Sequence, residues 1–192
     1  LPGSFKPEEM DSYEIGFKTS YLDGAGNFDI VAFMYDYKDA QVISYVDVDF
    51  EDDGVVDAFS GRVLNVGQTD GFGVEASTTV AMNDFTTLYL SVGYLDTEAT
   101  GLDEICSLDG PGGEGMGCEG RRVFWAPELT AAGKLDVDVP MQNGILKSSI
   151  EVSYESERGG SWEGNPEGMI GSYAVTNLRI GYESDNTRDI QI

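Results

Sequence analysis

The sequence predicts an all-β chain: an antiparallel transmembrane β-barrel fragment of about seven strands with the start of an eighth. Three observations lead there. Apolar and polar residues alternate with period two along most of the chain, and no helical period competes with it. Connections run short, long, short, long, as the two ends of a membrane barrel do. Several alternating segments reach about ten residues or more, the span of a tilted membrane strand. A soluble antiparallel sandwich also alternates, because it turns one face to a core. It is the rival architecture, and it would need more equal loops.

The elements follow in chain order. The first strand, Tyr13 to Tyr21, places Tyr13, Ile15, Phe17 and Tyr21 on one face and Glu14, Gly16, Lys18 and Ser20 on the other. Asp23-Gly24-Ala25-Gly26 is a tight turn. A second strand runs from about Asn27 to Val42, with Val31, Phe33, Tyr35 and Tyr37 on one face and Ala32, Met34, Asp36 and Lys38 opposite. A long acidic loop covers roughly Ser44 to Arg62. The third strand, about Phe72 to Met82, sets Val74, Ala76, Thr78 and Val80 against Gly73, Glu75, Ser77 and Thr79. After Asn83-Asp84 the fourth, Phe85 to Leu95, has Leu88, Leu90, Val92 and Tyr94 on one side, with Ser91 and Gly93 on the other. The longest loop spans Asp96 to Trp125. A fifth strand covers Glu128 to Val139, a turn covers Pro140 to Gly144, and a sixth strand covers Ile145 to Glu155. The polar loop Ser156 to Gly171 leads to a seventh strand, Ser172 to Glu183. Ser184-Asp185-Asn186 then turns into a strand that has only begun at Asp189. Together with a first residue that is Leu rather than Met, this reads as a piece of something longer.

Composition narrows the function. Eleven Lys and Arg against 35 Asp and Glu leave 192 residues with a net charge of −24. Nucleic acid binding through phosphates needs the opposite sign, and so does docking on anionic head groups. The absence of histidine removes Ser-His-Asp and Cys-His catalysis and histidine zinc sites. Hydrophobic residues at 41% and aromatic residues at 11% speak against disorder despite the charge. No run approaches the roughly 18 apolar residues of a membrane helix, so a membrane would be met by strands. Cys106 and Cys118 flank a short Gly-rich loop, which suits a local disulfide in an oxidising compartment; two free thiols are the other reading.

Several motifs, in order, resemble one family. Phe5-Lys6-Pro7-Glu8 followed by Ser12-Tyr13-Glu14-Ile15-Gly16-Phe17-Lys18 resembles the "PE…yElGlK" stretch of TonB-dependent receptors. Ala32 to Val42 resembles the "aFyydYkdqqv" that follows it there. Asn65-Val66-Gly67 with Gly73-Val74-Glu75 is similar to "N.G……GvE", and Leu90 to Leu95 to "slgYld". Ala126-Pro127-Glu128 matches the "aP" that opens the next strand, and Asn177 to Tyr182 is similar to "vnarlgY". The resemblance implies a 22-stranded barrel around an N-terminal plug, of which this chain would be the C-terminal part. The stub at Asp189 resembles the next-to-last strand, which makes the first strand here the fourteenth. An even strand should descend to a short periplasmic turn, and the first strand ends in one. Plug, final strand and the region that meets the TonB complex would lie outside the chain.

The resemblance thus implies an outer-membrane receptor of a Gram-negative bacterium for TonB-energised uptake of a scarce nutrient, a ferric siderophore or similar. Its partners would be the TonB complex, a small-molecule nutrient and outer-membrane lipids, with no nucleic acid and no cofactor. The rival sandwich would be a secreted acidic adhesin or binding module. Enzyme chemistry is not expected, because the carboxylates fall in loops or alternate with small polar residues on the lumen face. Ligand recognition in such a barrel falls to long loops and the upper lumen, which nominates Tyr45, Phe50, Phe59, Trp125 and Trp162. Asp49, Glu51, Asp53 and Asp57 fit part of a calcium loop with Gly54 at its sixth position. Ser60 stands where the loop needs a bidentate Glu, so a solvated loop tip is the stronger reading.

Overall fold

The computed structural model describes residues 5–48, 58–65, 67–101, 120, 122–123, 125–160 and 168–185. Seven of the nine strands among the described residues form one antiparallel sheet in which every neighbour is the next strand of that sheet in chain order. They are β1 (Glu9–Tyr21), β2 (Gly26–Lys38), β5 (Gln68–Asn83), β6 (Thr86–Thr100), β7 (Leu129–Met141), β8 (Gly144–Glu155) and β9 (Tyr173–Ser184). The other two, β3 (Gln41–Val48) and β4 (Ala58–Asn65), pair with each other as a separate hairpin. The large sheet is open, with β1 and β9 each paired on one side. A sandwich would show a second sheet packed on the first; no described strand packs on either face of this one.

The connections sort by end. At one end lie the turn after Tyr21, the two-residue turn Asp84–Phe85 and the two-residue turn Gln142–Asn143. Local chemistry closes the second of these: the Asn83 side-chain carbonyl accepts the Phe85 amide at 2.9 Å, an Asx turn. Turn one is a 3-10 turn, Leu22–Gly24, in which both Leu22 and Asp23 adopt left-handed backbone. The long connections all leave from the opposite end.

Register converts period two into two chemically distinct faces. One transverse row reads Phe17, Ile30, Ala76, Val92, Ala131, Tyr154, Ala174 across all seven strands. The next row, on the other face, reads Lys18, Asp29, Ser77, Ser91, Ala132, Ser153, Val175. The apolar face is bare: Ile15 is 76% exposed, Leu178 70% and Ile180 68%. Ala99 is the one fully buried apolar residue among the described residues. The wall therefore holds together through its hydrogen-bond ladder and not through a core.

Four expectations are corrected. The second strand does not run to Val42 but stops at Lys38, where Asp39 takes a left-handed φ of 54° and ends the pairing. The acidic stretch is not simply a loop, because both its flanks pair as β3 and β4. The third strand starts earlier, at Gln68, and the fourth runs on to Thr100. Which face of the second strand joins the apolar rows is decided by its neighbours. Val31, Phe33 and Tyr35 stand opposite Gly16, Glu14 and Ser12 on the polar face, while Ile30, Ala32 and Met34 continue the apolar rows. The reason lies in β5. Glycines there leave space that aromatic rings fill: a Cβ on Gly73 would sit 2.2 Å from the Phe33 ring, and one on Gly71 would sit 2.2 Å from that of Tyr35. The stub beyond Asp185 lies outside the described residues.

Candidate functional site: the polar face and the long-loop rim

The polar face carries paired charge along its length. Lys18 meets Asp29 at 3.4 Å, Lys134 meets Asp136 at 2.8 Å and Lys147 meets Glu183 at 2.5 Å. Small residues separate these pairs and leave shallow grooves. One of about 630 Å³ near the short turns is lined by Asp136, Asp138, Lys147, Ser149, Arg179 and Glu183. Another, of about 520 Å³, lies at mid-height among Glu14, Lys18, Asp29, Glu75, Ser91 and Thr130. Such a surface is wettable and carries both signs, as befits the lining of an aqueous lumen.

At the long-loop rim, β6 outruns its partner. β7 joins it only up to Tyr94, opposite Leu129. Above that point the returning loop takes over. The Leu95 amide donates to the Glu128 carbonyl, the Gly120 amide to the Ala99 carbonyl, and the Val123 amide to the Thr97 hydroxyl, at 2.9, 2.9 and 3.0 Å. Arg122 bridges the Leu95 carbonyl and the Glu128 carboxylate. This strap is why Thr97 and Ala99 are the most buried side chains among the described residues. Trp125 sits on the strap with a left-handed φ of 66°; its amide donates to Gly159 of the next long loop at 2.9 Å, and its side chain is 56% exposed. Nearby in the chain, Arg158 pairs with Glu155 and lies 5.7 Å from the centre of the Tyr173 ring. On the opposite face of the same rim, Asp11, Asp36, Asp70 and Glu98 stand side by side across four strands. Lys38 serves two of them, reaching Asp36 at 2.7 Å and Asp11 at 3.8 Å.

The hairpin rises from this rim. Its base is bound to the segment ahead of β1: Glu8 accepts the Gln41 amide at 2.8 Å. That bond, with a further one from the Tyr37 hydroxyl, holds the Glu8 carboxyl below the usual carboxylate range.

The nominated aromatics are placed as follows. Trp125 is exposed at the rim, tied to two loops. Positions 45 and 59 lie on β3 and β4, where Tyr45 pairs with Gly61 and Asp47 with Phe59; they are diagonal neighbours on one hairpin face. Phe50, Trp162, Cys106, Cys118 and the partial calcium loop Asp49, Glu51, Asp53 and Asp57 lie outside the described residues. Among the described residues no cluster of acids or cysteines is arranged to hold a metal. Sequence reasoning missed the Arg158–Tyr173–Glu155 group and the ring-over-glycine packing on the polar face. Only the second had a signal, the alternation Gly71-Phe72-Gly73 on the strand after an aromatic one.

A meandering, open antiparallel sheet, apolar outside and polar inside, with short turns at one end and long loops at the other, defines a wall of a β-barrel. The family described as TonB dependent receptor-like, beta-barrel matches residues 2–190, and the chain belongs to it. Among the solved structures that share the fold are the following three. The ferric yersiniabactin uptake receptor FyuA of Yersinia pestis has a TM-score of 0.69 and 17% identity, covering 94% of this chain and 23% of that one. BauA, the ferric preacinetobactin receptor of Acinetobacter baumannii, has 0.64 and 17%, covering 94% and 23%. The copper transporter OprC has 0.62 and 15%, covering 96% and 24%. The chain spans about a quarter of the length of each. No curated protein matches the sequence.

Proposed function

We propose that these residues form the C-terminal part of the barrel of an outer-membrane receptor in a Gram-negative bacterium, one that takes up a scarce nutrient with energy delivered through TonB. The observation that carries this reading is the two-faced sheet: below the long-loop rim, seven adjoining strands turn large apolar side chains to one face, where no described strand covers them, and keep charge on the other. In water such a face would be far larger than the apolar patches soluble monomers show, whereas lipid accepts it. The plug, the TonB-contacting region and the remaining strands belong to the rest of the receptor. A ferric siderophore or a similar metal chelate is the proposed cargo, in keeping with family membership and with the iron-chelate and copper transporters that share the fold.

In this reading the barrel wall does no covalent chemistry. The long-loop rim faces outward and meets the ligand. Trp125, and Tyr45, Phe50, Phe59 and Trp162 on the other long connections, offer aromatic faces to a chelate. A Cys106–Cys118 disulfide would shorten the Gly-rich excursion of the loop that carries Trp125, worth roughly 3 kcal/mol in the chain-entropy model. The test is to express the full-length receptor in a Gram-negative host. The expected result is recovery in the outer-membrane fraction and uptake of radiolabelled ferric chelates that vanishes when TonB is deleted. Recovery in the soluble fraction, or uptake indifferent to TonB, would sink the reading.

A further inference from the structure

The wall and the hairpin meet at an abrupt seam. The last pair of β2 and β5 is Lys38 with Gln68, and the first pair of β3 and β4 is Gln41 with Asn65. Between them lie only Asp39–Ala40 on one side and positions 66–67 on the other. Asp39 at φ 54° and Gly67 at φ 79° are both left-handed, one on each link. A left-handed residue reverses the pleat, so the ladder of the wall is not carried into the hairpin. No strand of the seven-stranded sheet packs extensively against it either. Backbone geometry alone would leave the hairpin free to swing on two short links.

Side chains bridge the seam instead. The Asn65 amide accepts the Lys6 backbone N–H at 2.6 Å and donates to the Lys6 carbonyl at 2.9 Å, the pair of bonds a neighbouring strand would make. Its second N–H donates to the Asp39 carbonyl at 2.8 Å, fastening the left-handed link itself. Gln41 adds two more bonds, from its backbone N–H to Glu8 and from its side chain to the Lys6 carbonyl, at 2.8 and 2.9 Å. Three stretches distant in sequence, at Lys6–Glu8, Asp39–Gln41 and Asn65, thus close into one polar knot at the hairpin's base.

We propose that Asn65 is a positioning residue: with Gln41 and Glu8 it fixes the direction of the β3–β4 hairpin at the rim, and so sets where positions 45 and 59 stand over the lumen. The inference rests on the proposed function for its purpose, since it makes the hairpin a rim element that meets ligand. Its geometry stands apart from any transport. Asn65 can act so because its amide supplies one acceptor and two donors, all of which the knot uses. Aspartate has the same shape but no donor, and would turn a carboxylate toward the Lys6 and Asp39 carbonyls.

Two distances separate positioning from mere folding of the hairpin. In the full-length receptor, with Cys106→Ser and Cys118→Ser so that neither native cysteine competes for label or partner, spin labels at Val46→Cys and Ser60→Cys report the hairpin's own width, because these positions pair. Labels at Val46→Cys and Ser91→Cys report its direction relative to the wall. Asn65→Asp is expected to leave the first distance unchanged and to widen the distribution of the second about twofold, as a hinge released on its links would. Gln41→Ala, which keeps the backbone bond to Glu8, should widen it less, and it decides the matter alone if Asn65→Asp does not assemble. Two unchanged distances would overturn the proposal, and so would two that broaden together, which would make Asn65 a fold-holding residue only. A receptor that transports no ferric chelate yet shows the expected distances would fail the proposed function and keep the knot.

Discussion

The wall and the hairpin are built from similar strands and are held in opposite ways. In the wall each strand is fixed by a ladder, with a register shift between Ala81 and Asn83 of β5, so even β1, exposed along nearly its whole length, has a defined register with β2. The hairpin has its own ladder but inherits no direction from the wall, and a few side-chain bonds supply it. Continuous backbone pairing frees side chains to meet whatever surrounds the sheet. Interrupted pairing conscripts them. The first arrangement suits a surface whose two faces have different solvents, and the second suits a rim element whose angle has to be specified.

The largest effect should come from reversing the wall's two faces. Val92 belongs to the bare apolar row, and its neighbour Ser91 belongs to the polar row beside Ser77 and Ala132. Val92→Arg in the full-length receptor is expected to cost about 2–4 kcal/mol if it lies near the bilayer midplane, and to deplete folded barrel in the outer membrane. Ser91→Arg meets water and acids and should be tolerated. Heat-modifiable mobility of the two variants on gels measures the contrast. Equal yields would mean that β6 does not face lipid, and the reverse order would mean a register slip of one residue.

A smaller effect tests how the ladder accommodates bulk. Gly73→Val puts a side chain where the Phe33 ring lies, an overpacking expected to cost about 1–3 kcal/mol in the denaturant midpoint of the vesicle-folded receptor. Phe33→Ala in the same chain should recover most of that loss. If it does not, the ring and the glycine are not a packing pair.

The smallest effect is confined to the hairpin, and pH should reveal it. Glu8 has a depressed carboxyl pKa because it accepts the Gln41 N–H and a bond from the Tyr37 hydroxyl, the titratable group facing it from β2. A depressed acid stabilises the arrangement in which it is depressed. That contribution is complete above the ordinary carboxylate pKa and is lost as pH falls through the lowered value. The hairpin-to-wall distance should therefore broaden only in acid, below the usual carboxylate range, while the barrel stays folded. Glu8→Gln, which still accepts the Gln41 amide, should remove the pH dependence. A wild-type distance constant down to the acid limit of barrel folding would contradict this.

The architecture was legible because β1, β5, β6, β7, β8 and β9 each have one face that is plainly apolar, and the turn after Asn83 carries its own Asx chemistry. The faces of β2 were not legible from β2. Ile30, Ala32 and Met34 alternate with Val31, Phe33 and Tyr35, so both faces are hydrophobic, and the decision belongs to Gly71 and Gly73 some forty positions on. The hairpin was hidden for a related reason. Its strands sit in an acid-rich stretch that local composition marks as loop, and their backbone ladder is with each other alone. Of the candidate site, Trp125 could be nominated as an aromatic on a long loop. Its left-handed backbone and its tie to Gly159 depend on a second loop that no local pattern announces. Asn65 could be noticed as part of a motif, but its task appears only when Lys6 is folded next to it.

The seam at Asp39 and Gly67 also bears on how such a protein can diversify. The ladder between β2 and β5 is closed by Lys38 and Gln68 before the chain departs, so nothing between those two residues takes part in setting the register of the wall. The excursion can lengthen, shorten or be exchanged while the ladder beneath it stays the same. Doubling its length would add only about 0.6 kcal/mol of closure entropy. Recognition and containment are thereby separable traits in one chain: a lineage could rewrite what the rim meets and leave the vessel untouched, provided it kept the few polar groups that tell each new excursion which way to stand.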